Sequence, residues 1–323
     1  MLLEIVPNQI FNEPKFTEKK LQTNDIIFKF YNTGFTKESE KIKQCGNYLE
    51  FIFKEHQITK ENKKKLANAN FCKNRFCPVC SWRRTRNITG QLKEAFTAIQ
   101  EKEKIATLFL TLTVNNPDVK DLKDTIAKMN KAFKRMSETK RFKNAILGYF
   151  KSIEILGDKT PKGQAHPHFH ILLVVKESYF KKSDYINQKE FLQMWRDATR
   201  NQNITQVDVR RIKSKNENFS DIDSAIAETV KYSVKHSDLC KRTNEDFYYL
   251  YTQTKNLRFI SAGGILKDHL NLIKIDEDLI NLKKENEALW IEICRLIYTW
   301  QNGDYQLKEI KPPKENKEHI ENG

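Results

Sequence analysis

The sequence contains no apolar run that reaches the ~20 residues a helix needs to cross a bilayer. Its first residues, from Met1 to Pro7, also lack the basic segment of a secretory signal and reach a proline early. No internal repeat is visible. We therefore expect a cytoplasmic protein, and the length of 323 residues is enough for two or three domains.

The chain has fewer acidic than basic residues. The chain has 57 Lys and Arg against 42 Asp and Glu, which gives a formal net charge of +15 and a pI near 9.3. Because each phosphate that a cation neutralises releases condensed counterions, this imbalance predicts a polyanionic partner. Nucleic acid is the first candidate and an anionic membrane surface the second.

Cysteines are few, but three of the six, Cys72, Cys77 and Cys80, lie close together in the run CKNRFCPVC. Thiols stay reduced in the cytoplasm, so the cluster predicts a structural Zn²⁺ site rather than disulfides. Either Cys45 or His56 could supply the fourth ligand.

The segment that follows the cluster is basic and aromatic, and the zinc site would hold it rigid. Its cations and indole suit phosphate contact and base stacking. The predicted DNA-binding residues here are Trp82, Arg83, Arg84 and Arg86. Cys240 and Cys294 stand alone and are expected to be packing residues.

From Thr107 onward, apolar runs predict strands separated by helices. The run TLFLTLTV is rich in β-branched and apolar residues, as expected of a strand. A turn-like segment at 157–164 predicts that the second and third strands form a hairpin. The predicted strands are 107–114, 148–156, 165–175 and 204–213, and the predicted helices are 118–137, 188–199 and about 220–236.

The third strand, AHPHFHILLVV, begins with three histidines. Side chains on a strand alternate faces, so His168 and His170 point the same way, ~6.5–7 Å apart, and both can reach one metal ion. Glu154 is the predicted third ligand, because the hairpin brings this carboxylate alongside and an apolar strand offers it no other partner. Two other interpretations fit the same run: hydrogen-bonded sheet histidines, and the His-x-His-x-His pattern of small histidine-triad nucleotide hydrolases.

The helix predicted at 220–236 carries an apolar stripe at steps of four, formed by Ile222, Ile226, Val230 and Val234. On another flank, Glu228 and Tyr232 are one turn apart with Lys235 beside them. A tyrosine nucleophile needs a cation to polarise its phosphate target and a route for its proton. An ordinary surface cluster of three polar side chains fits this spacing equally well.

The order of these motifs resembles the HUH endonucleases, in which a histidine pair such as His168-Phe169-His170 precedes a tyrosine such as Tyr232. The pattern Glu228-x-x-x-Tyr232, with a basic cysteine segment upstream, more closely resembles the rolling-circle replication initiators of small Gram-positive plasmids. The resemblance covers residues 72–235. It implies an α+β fold, namely an HUH endonuclease domain with a central antiparallel sheet flanked by helices, plus an N-terminal zinc-binding domain.

The resemblance also implies a mechanism. Tyr232 would attack a DNA phosphate held by Mg²⁺ or Mn²⁺ on the two histidines and Glu154. The products would be a 5′-phosphotyrosyl link and a free 3′-OH, and host helicase and polymerase would act on the nicked DNA.

Other residues gain roles from the same resemblance. Glu228 would activate the water of the terminating cleavage, and Lys231 and Lys235 would contact DNA. The DNA would be the double-strand origin of a plasmid and its single-stranded nick site.

A helical C-terminal region is predicted because apolar residues follow the three-four spacing of a heptad seam. We expect this helix to dock on its own chain or to form a homodimer through 275–300. The seam consists of Leu279, Leu282, Asn286, Leu289, Ile293, Leu296 and Trp300. The expected domains are 1–100 (basic, zinc-binding and DNA-binding), 101–240 (HUH nickase) and 241–308 (helical), followed by a disordered polar tail at 309–323.

Two other functions remain compatible with the sequence. An HUH transposase or mobilisation relaxase would share the chemistry but act on transposon ends or a transfer origin. A non-catalytic zinc-containing DNA-binding regulator would explain the charge and the cysteines, but it would leave the histidine pair without a role.

Overall fold

A computed structural model of the chain describes residues 14–181, 184–213, 220–230, 235–272, 278–280 and 288–314. Their strands form two antiparallel sheets, and helices lie between and around them, so the α+β class is confirmed. The strands are β1 (Tyr48–His56), β2 (Asn62–Ala69), β3 (Ile105–Thr113), β4 (Gly148–Glu154), β5 (His168–Lys176), β6 (Asp208–Arg210), β7 (Ile260–Gly264), β8 (Trp290–Gln301) and β9 (Asp304–Lys311).

Most of the helices are short. Two of them, α4 and α5, are long enough to cover a whole sheet. The helices are α1 (Pro14–Leu21), α2 (Thr23–Asn32), α3 (Thr36–Gln44), α4 (Pro78–Gln100), α5 (Leu122–Glu138), α6 (Lys140–Ala145), α7 (Gln188–Thr199), α8 (Asp221–Thr229), α9 (His236–Cys240), α10 (Asn244–Thr254) and α11 (Ile265–His269), with 3₁₀ turns at Val119–Asp121 and Glu177–Lys181.

The larger sheet has the strand order β6-β3-β5-β4-β7. Its central strands β4 and β5 are antiparallel neighbours, as the hairpin prediction required, and Glu154 lies opposite His168 in the register. The edge strand β7 was missed in the sequence, where Gly263-Gly264 resembles a tight turn.

Each face of this sheet is covered by its own apolar cluster. Phe169, Ile171 and Leu173 of β5 pack into the cluster that includes α5. Leu172 and Val174 point to the opposite face, where α4 and α8 cover them. The alternation predicted for the histidine strand is thus confirmed, and His168 and His170 belong to the face of Leu172.

The smaller sheet has the order β2-β1-β8-β9, so it combines strands from both ends of the sequence. The predicted C-terminal helix is wrong here, because residues 290–301 form a strand that pairs with β1 on one side and β9 on the other. A heptad seam for a homodimer therefore does not exist in this segment. Residues 309–311 also belong to β9 rather than to a disordered tail, whereas 315–323 lie outside the described residues.

The long helix α4 links the two sheets. Its first turns carry Cys80 and Trp82 in one apolar cluster, while Leu92 and Phe96 near its end lie in the other, against the larger sheet. At 23 residues it spans about 34 Å.

The predicted helix at 188–199 is confirmed as α7, whose Asn187 and Glu190 form a reciprocal capping box. The helix predicted at 220–236 is shorter than expected. It begins with a capping box at Ser220 but ends at Thr229. None of the helices that the structure describes is long and apolar enough to cross a membrane.

Gly264 provides a test of the edge-strand packing. Its φ is +59°, and a Cβ there would lie 2.1 Å from the Leu147 carbonyl oxygen. We expect Gly264→Ala to lower the free energy of unfolding by about 3 kcal/mol or more, because backbone strain and overpacking add.

The matched control is Gly34→Ala, which has a similar φ of +82° but open space around the added Cβ. It should cost only the ~1–2 kcal/mol of left-handed strain. Urea unfolding of both variants measures the difference, and equal losses would contradict the packing argument.

Candidate functional site

Three side chains converge where β4 ends and β5 begins. The Nε2 atoms of His168 and His170 lie 3.2 Å and 2.8 Å from the same oxygen, Oε2 of Glu154. All three side chains are buried. The two imidazole nitrogens and the carboxylate therefore form a group that could hold a divalent metal.

The orientation of His168 explains why a cation suits this group. Its Nδ1 lies 2.8 Å from the His166 carbonyl oxygen, which can only accept, so Nδ1 carries the proton. In the neutral ring, the Nε2 lone pair then faces the Glu154 carboxylate. Two acceptors at this distance require a cation between them, either a proton or a metal ion.

Glu154 is held as an anion. Burial by itself raises the pKa of this carboxyl, but hydrogen bonds and charge interactions with His168 and His170 outweigh it and lower the pKa to about 2. The site therefore offers a carboxylate ligand at neutral pH.

Neighbouring side chains complete the surroundings of the group. The Phe109 ring of β3 stacks on His170 at 5.3 Å, and His166 Nδ1 lies 2.6 Å from Asn116 Oδ1. Lys235 Nζ lies 3.9 Å from Glu154 Oε1 and 3.1 Å from Asp158 Oδ1. A cationic ammonium therefore lies beside the candidate metal ligands, a proximity that the sequence did not predict.

Residues before and after the predicted nucleophile contact β4. Ser152, two residues before Glu154, donates a 2.7 Å hydrogen bond to the Thr229 carbonyl at the end of α8. Tyr232 and Lys231 themselves lie outside the described residues. Since α8 ends at Thr229, the expectation that Glu228 and Tyr232 share one continuous helix is wrong. The role of Tyr232 stays a prediction.

Glu228 lies in the last turn of α8 and is partly exposed. Its Oε1 is 3.2 Å from Nη2 of Arg210 on the edge strand β6, a pair that sequence spacing did not suggest. Exposed pairs of this kind contribute little to stability.

The four cysteines that were predicted as zinc ligands meet in one buried cluster. Cys45 Sγ lies 3.4 Å from Cys80 Sγ and 3.6 Å from Cys77 Sγ, and Cys72 Sγ is 3.6 Å from Cys80 Sγ. All four sulfur atoms lie within 4.8 Å of one another, so the cluster could hold zinc. His56 is not part of it, because its ring packs edge-on against Trp290 at the far end of β1.

The environment of the cluster fits a bound cation. Burial raises the pKa of the Cys77 and Cys80 thiols well above the usual range, so a metal ion would be needed to ionise these two. Lys20 is buried nearby and donates to the backbone oxygens of Lys43 and Cys45 at 2.8 Å. Its ammonium would offset part of the negative charge of four thiolates.

Comparison with known proteins shows the family to which this chain belongs. The model of a replication protein family matches residues 63–307, which include both metal-ligand groups except Cys45. The chain belongs to the replication protein family. This confirms the resemblance to plasmid replication initiators that the ordered motifs suggested.

Curated members of the family resemble the chain over most of its length. Protein rep of Staphylococcus aureus is 36% identical over 249 residues, which cover 76% of this chain and 99% of that protein. Protein rep of Streptococcus pneumoniae is 31% identical over 84% of this chain and 79% of its own. Protein rep of Bacillus amyloliquefaciens is 31% identical over 85% and 86%. No solved structure matches the chain.

In this family member, the segment after the cysteines does not form the exposed DNA surface that we expected. Trp82 and Arg83 have exposed fractions of 5% and 3%, and Arg84 is also buried. Arg83 donates to the Leu279 carbonyl at 2.7 Å, and Trp82 packs edge-on against Phe16. Of the four DNA contacts predicted in this segment, Arg86 alone is exposed. Trp82 and Arg83 are buried in the packing of α4, and Arg84 is buried but lines a cavity.

A further group of donors was missed in the sequence. His236 Nε2 lies 3.4 Å from Asp25 Oδ2 and 3.3 Å from Cys240 Sγ. The spacing of His236 and Cys240, one turn apart on α9, is visible in the sequence, but nothing local links them to Asp25 on α2. Cys240 packs against the main apolar cluster, as expected, but it is not isolated from other possible metal ligands.

The zinc ligand set leads to a direct measurement. We expect wild-type protein to contain about one zinc ion per chain at this cluster, and Cys45→Ser to lose it together with thermal stability, because a hydroxyl replaces a thiolate ligand. His56→Ala should retain the metal. Atomic emission of purified proteins, with thermal unfolding, tests both.

Cys294→Ser is the matched control, since Cys294 is buried on β8 and outside the cluster. Full zinc content in Cys45→Ser would contradict the four-cysteine site. Loss of zinc in His56→Ala would indicate the other ligand set.

Proposed function

We propose that this chain initiates rolling-circle replication of a plasmid by nicking and rejoining one DNA strand at the origin. The observation that carries the proposal is the convergence of His168, His170 and Glu154 on one point, beside Lys235 and the end of α8. Membership of the replication protein family supports DNA as the partner. The proposed endonuclease domain is of the HUH type.

Glu154 and the two histidines would hold Mg²⁺ or Mn²⁺. The buried donor set of two imidazole nitrogens and one carboxylate suits such an ion, and the ordered Nδ1 contact of His168 is the support that metal-binding histidines usually have. When bound, the ion would polarise the scissile phosphate and stabilise the developing charge.

Tyr232 would be the nucleophile. Its phenolate oxygen would form a bond to the phosphorus, and the bond from phosphorus to the 3′ oxygen would break. The 5′-phosphate would then be linked to the tyrosine, and the leaving 3′ oxygen would take up a proton to become the 3′-OH primer. In support, Tyr232 lies in sequence between Thr229, which contacts Ser152, and Lys235, which lies near Glu154.

Glu228 would act in the closing step. A carboxylate in the last turn of α8 is a suitable general base for the water that cleaves the final phosphodiester. Lys231 and Lys235 would contact DNA phosphates near the nucleophile. Zinc on the four cysteines would have a structural role, and host helicase and polymerase would act on the product.

The alternative functions have less support. A transposase or relaxase would use the same donor set, but the replication protein family favours a plasmid origin as the substrate. A non-catalytic zinc-containing regulator would have no need for a second buried group of two histidines and a carboxylate beside a lysine.

The nucleophile can be tested with Tyr232→Phe. Supercoiled DNA that carries the gene and its flanks is incubated with protein and Mn²⁺, and covalent adducts are identified on denaturing gels and by peptide mass. The variant should lose adduct and nicking by at least about 10³-fold, because the attacking oxygen is gone, but retain duplex binding. Tyr31→Phe, at a tyrosine with 65% exposure on α2, is the control and should nick normally. Unchanged cleavage by Tyr232→Phe would rule out the assignment.

The role of Glu228 is tested by separating the two cleavages. Glu228→Ala should form the first adduct at nearly the wild-type rate but release product slowly, because the water lacks its base. Glu228→Gln should behave in the same way, although it can still hydrogen-bond to Arg210. Normal release by the Gln variant would show that pairing with Arg210, not proton transfer, is what matters.

A further inference from the structure

A cavity of about 640 Å³ lies outside both metal-ligand groups. Five of its lining residues are cationic, namely Lys73, Arg75, Arg84, Lys255 and Arg258, and no Asp or Glu lines it within the part of the chain that the structure describes. We call it the basic pocket. Its volume falls within the ~300–1,000 Å³ typical of ligand sites.

One wall of the basic pocket is the loop between two cysteines of the zinc cluster. Lys73, Asn74, Arg75 and Phe76 lie between Cys72 and Cys77, so metal binding would fix both ends of this loop. Arg84 of α4 reinforces it by donating to the backbone oxygens of Lys73 and Asn74. The cationic side chains of this wall therefore project from an ordered backbone.

A second part of the lining, at 254–260, leads along the chain into β7, the neighbour of β4. Lys255 and Arg258 are exposed and follow α10, after which the chain enters β7. The Phe259 carbonyl accepts a 3.0 Å hydrogen bond from the amide of Ile153, the residue that precedes Glu154. Arg258 is thus attached to the strand pair at the end where the metal ligands lie.

Two aromatic residues also belong to the lining of the pocket. Tyr251 is half-buried and Phe76 is buried, and their rings pack together at 5.6 Å. A groove with cations along its walls and aromatic side chains in its lining is the combination that binds single-stranded nucleic acid.

We propose that the basic pocket binds the single DNA strand next to the phosphodiester that is cut, with its cations on the backbone phosphates. This inference rests on the proposed nicking function, and it assigns to Lys255 and Arg258 a positioning role rather than a catalytic one. The cysteine loop then has a direct part in DNA binding, which its buried neighbours Trp82 and Arg83 do not.

The test is the double variant Lys255→Ala/Arg258→Ala, with a fluorescein-labelled 20-nucleotide oligo-dT as the probe and no added Mg²⁺ or Mn²⁺. Anisotropy should show binding weakened about tenfold. The slope of log K against log salt should become about 1.4 less steep, since two phosphate contacts are lost. Arg258→Lys should bind within about twofold of wild type, because it retains the charge.

The matched control is Lys102→Ala/Lys104→Ala, which removes the same charge from two exposed lysines just beyond the far end of α4. Lys102 lies about 27 Å along the helix direction from Arg84. The control should bind within about twofold of wild type, and thermal unfolding should show that both double variants are folded.

Equal binding by the pocket variant and wild type, or an equal loss in the control, would overturn the inference. Adduct formation on the supercoiled plasmid separates this result from the proposed function. If wild type forms the adduct but the pocket variant binds oligo-dT normally, the proposed nicking function is supported and the assignment of the pocket as a DNA site is wrong. If wild type forms no adduct but the pocket variant alone loses affinity for oligo-dT, the pocket is supported as a DNA site and the proposed nicking function is contradicted.

Discussion

The candidate active site depends on the antiparallel register of β4 and β5, which sets Glu154 opposite His168. Side chains that face each other across a sheet belong to the same face, so the carboxylate and both imidazoles necessarily meet there. A slip of one residue would turn Glu154 to the face of Phe169 and leave a buried carboxylate in an apolar cluster. The apolar residues on both faces of β5 resist this slip, so the packing of the core also holds the three ligands in place.

The sequence was sufficient to predict those parts of the structure that local residue spacing determines. The alternation along His168–Lys176 placed both histidines on one face, and the helix at 188–199 carried its own capping residues. The C-terminal segment was predicted wrongly because the apolar residues of WIEICRLIYTWQ fit two periodicities. They follow the three-four spacing of a helix, but they also include the alternation of a strand, with Cys294, Leu296 and Tyr298 buried. Asn302-Gly303, a strong signal for a two-residue hairpin turn, favoured strands, and both residues adopt the positive φ of that turn. Pairing with β1, more than two hundred residues away, could not be predicted from any local pattern.

The errors at the site have the same origin. Trp82, Arg83 and Arg84 have the composition of a DNA surface, but long amphipathic side chains also suit a buried helix face when backbone oxygens accept from their guanidinium groups. Composition cannot distinguish these cases, because the acceptors for Arg83 come from residues 279 and 280. Three of the four cysteines, by contrast, were predictable as a set, since Cys72, Cys77 and Cys80 are close in sequence. Spacing left Cys45 and His56 open, and the fold selects Cys45.

The two candidate metal sites differ in ways that suit different roles. The cysteine cluster is enclosed by α1, α3, α4 and the loop from Cys72 to Cys77, and its donors are all sulfur, so a metal there would stabilise structure. The histidine group has nitrogen and oxygen donors at the end of a strand pair, next to an ammonium that can attract phosphate. The helix α4 begins at the first site and packs on the sheet that carries the second. A metal that holds the start of α4 would therefore also fix the basic loop relative to the sheet that carries the histidine group, which is the arrangement that the proposed path of the DNA strand requires.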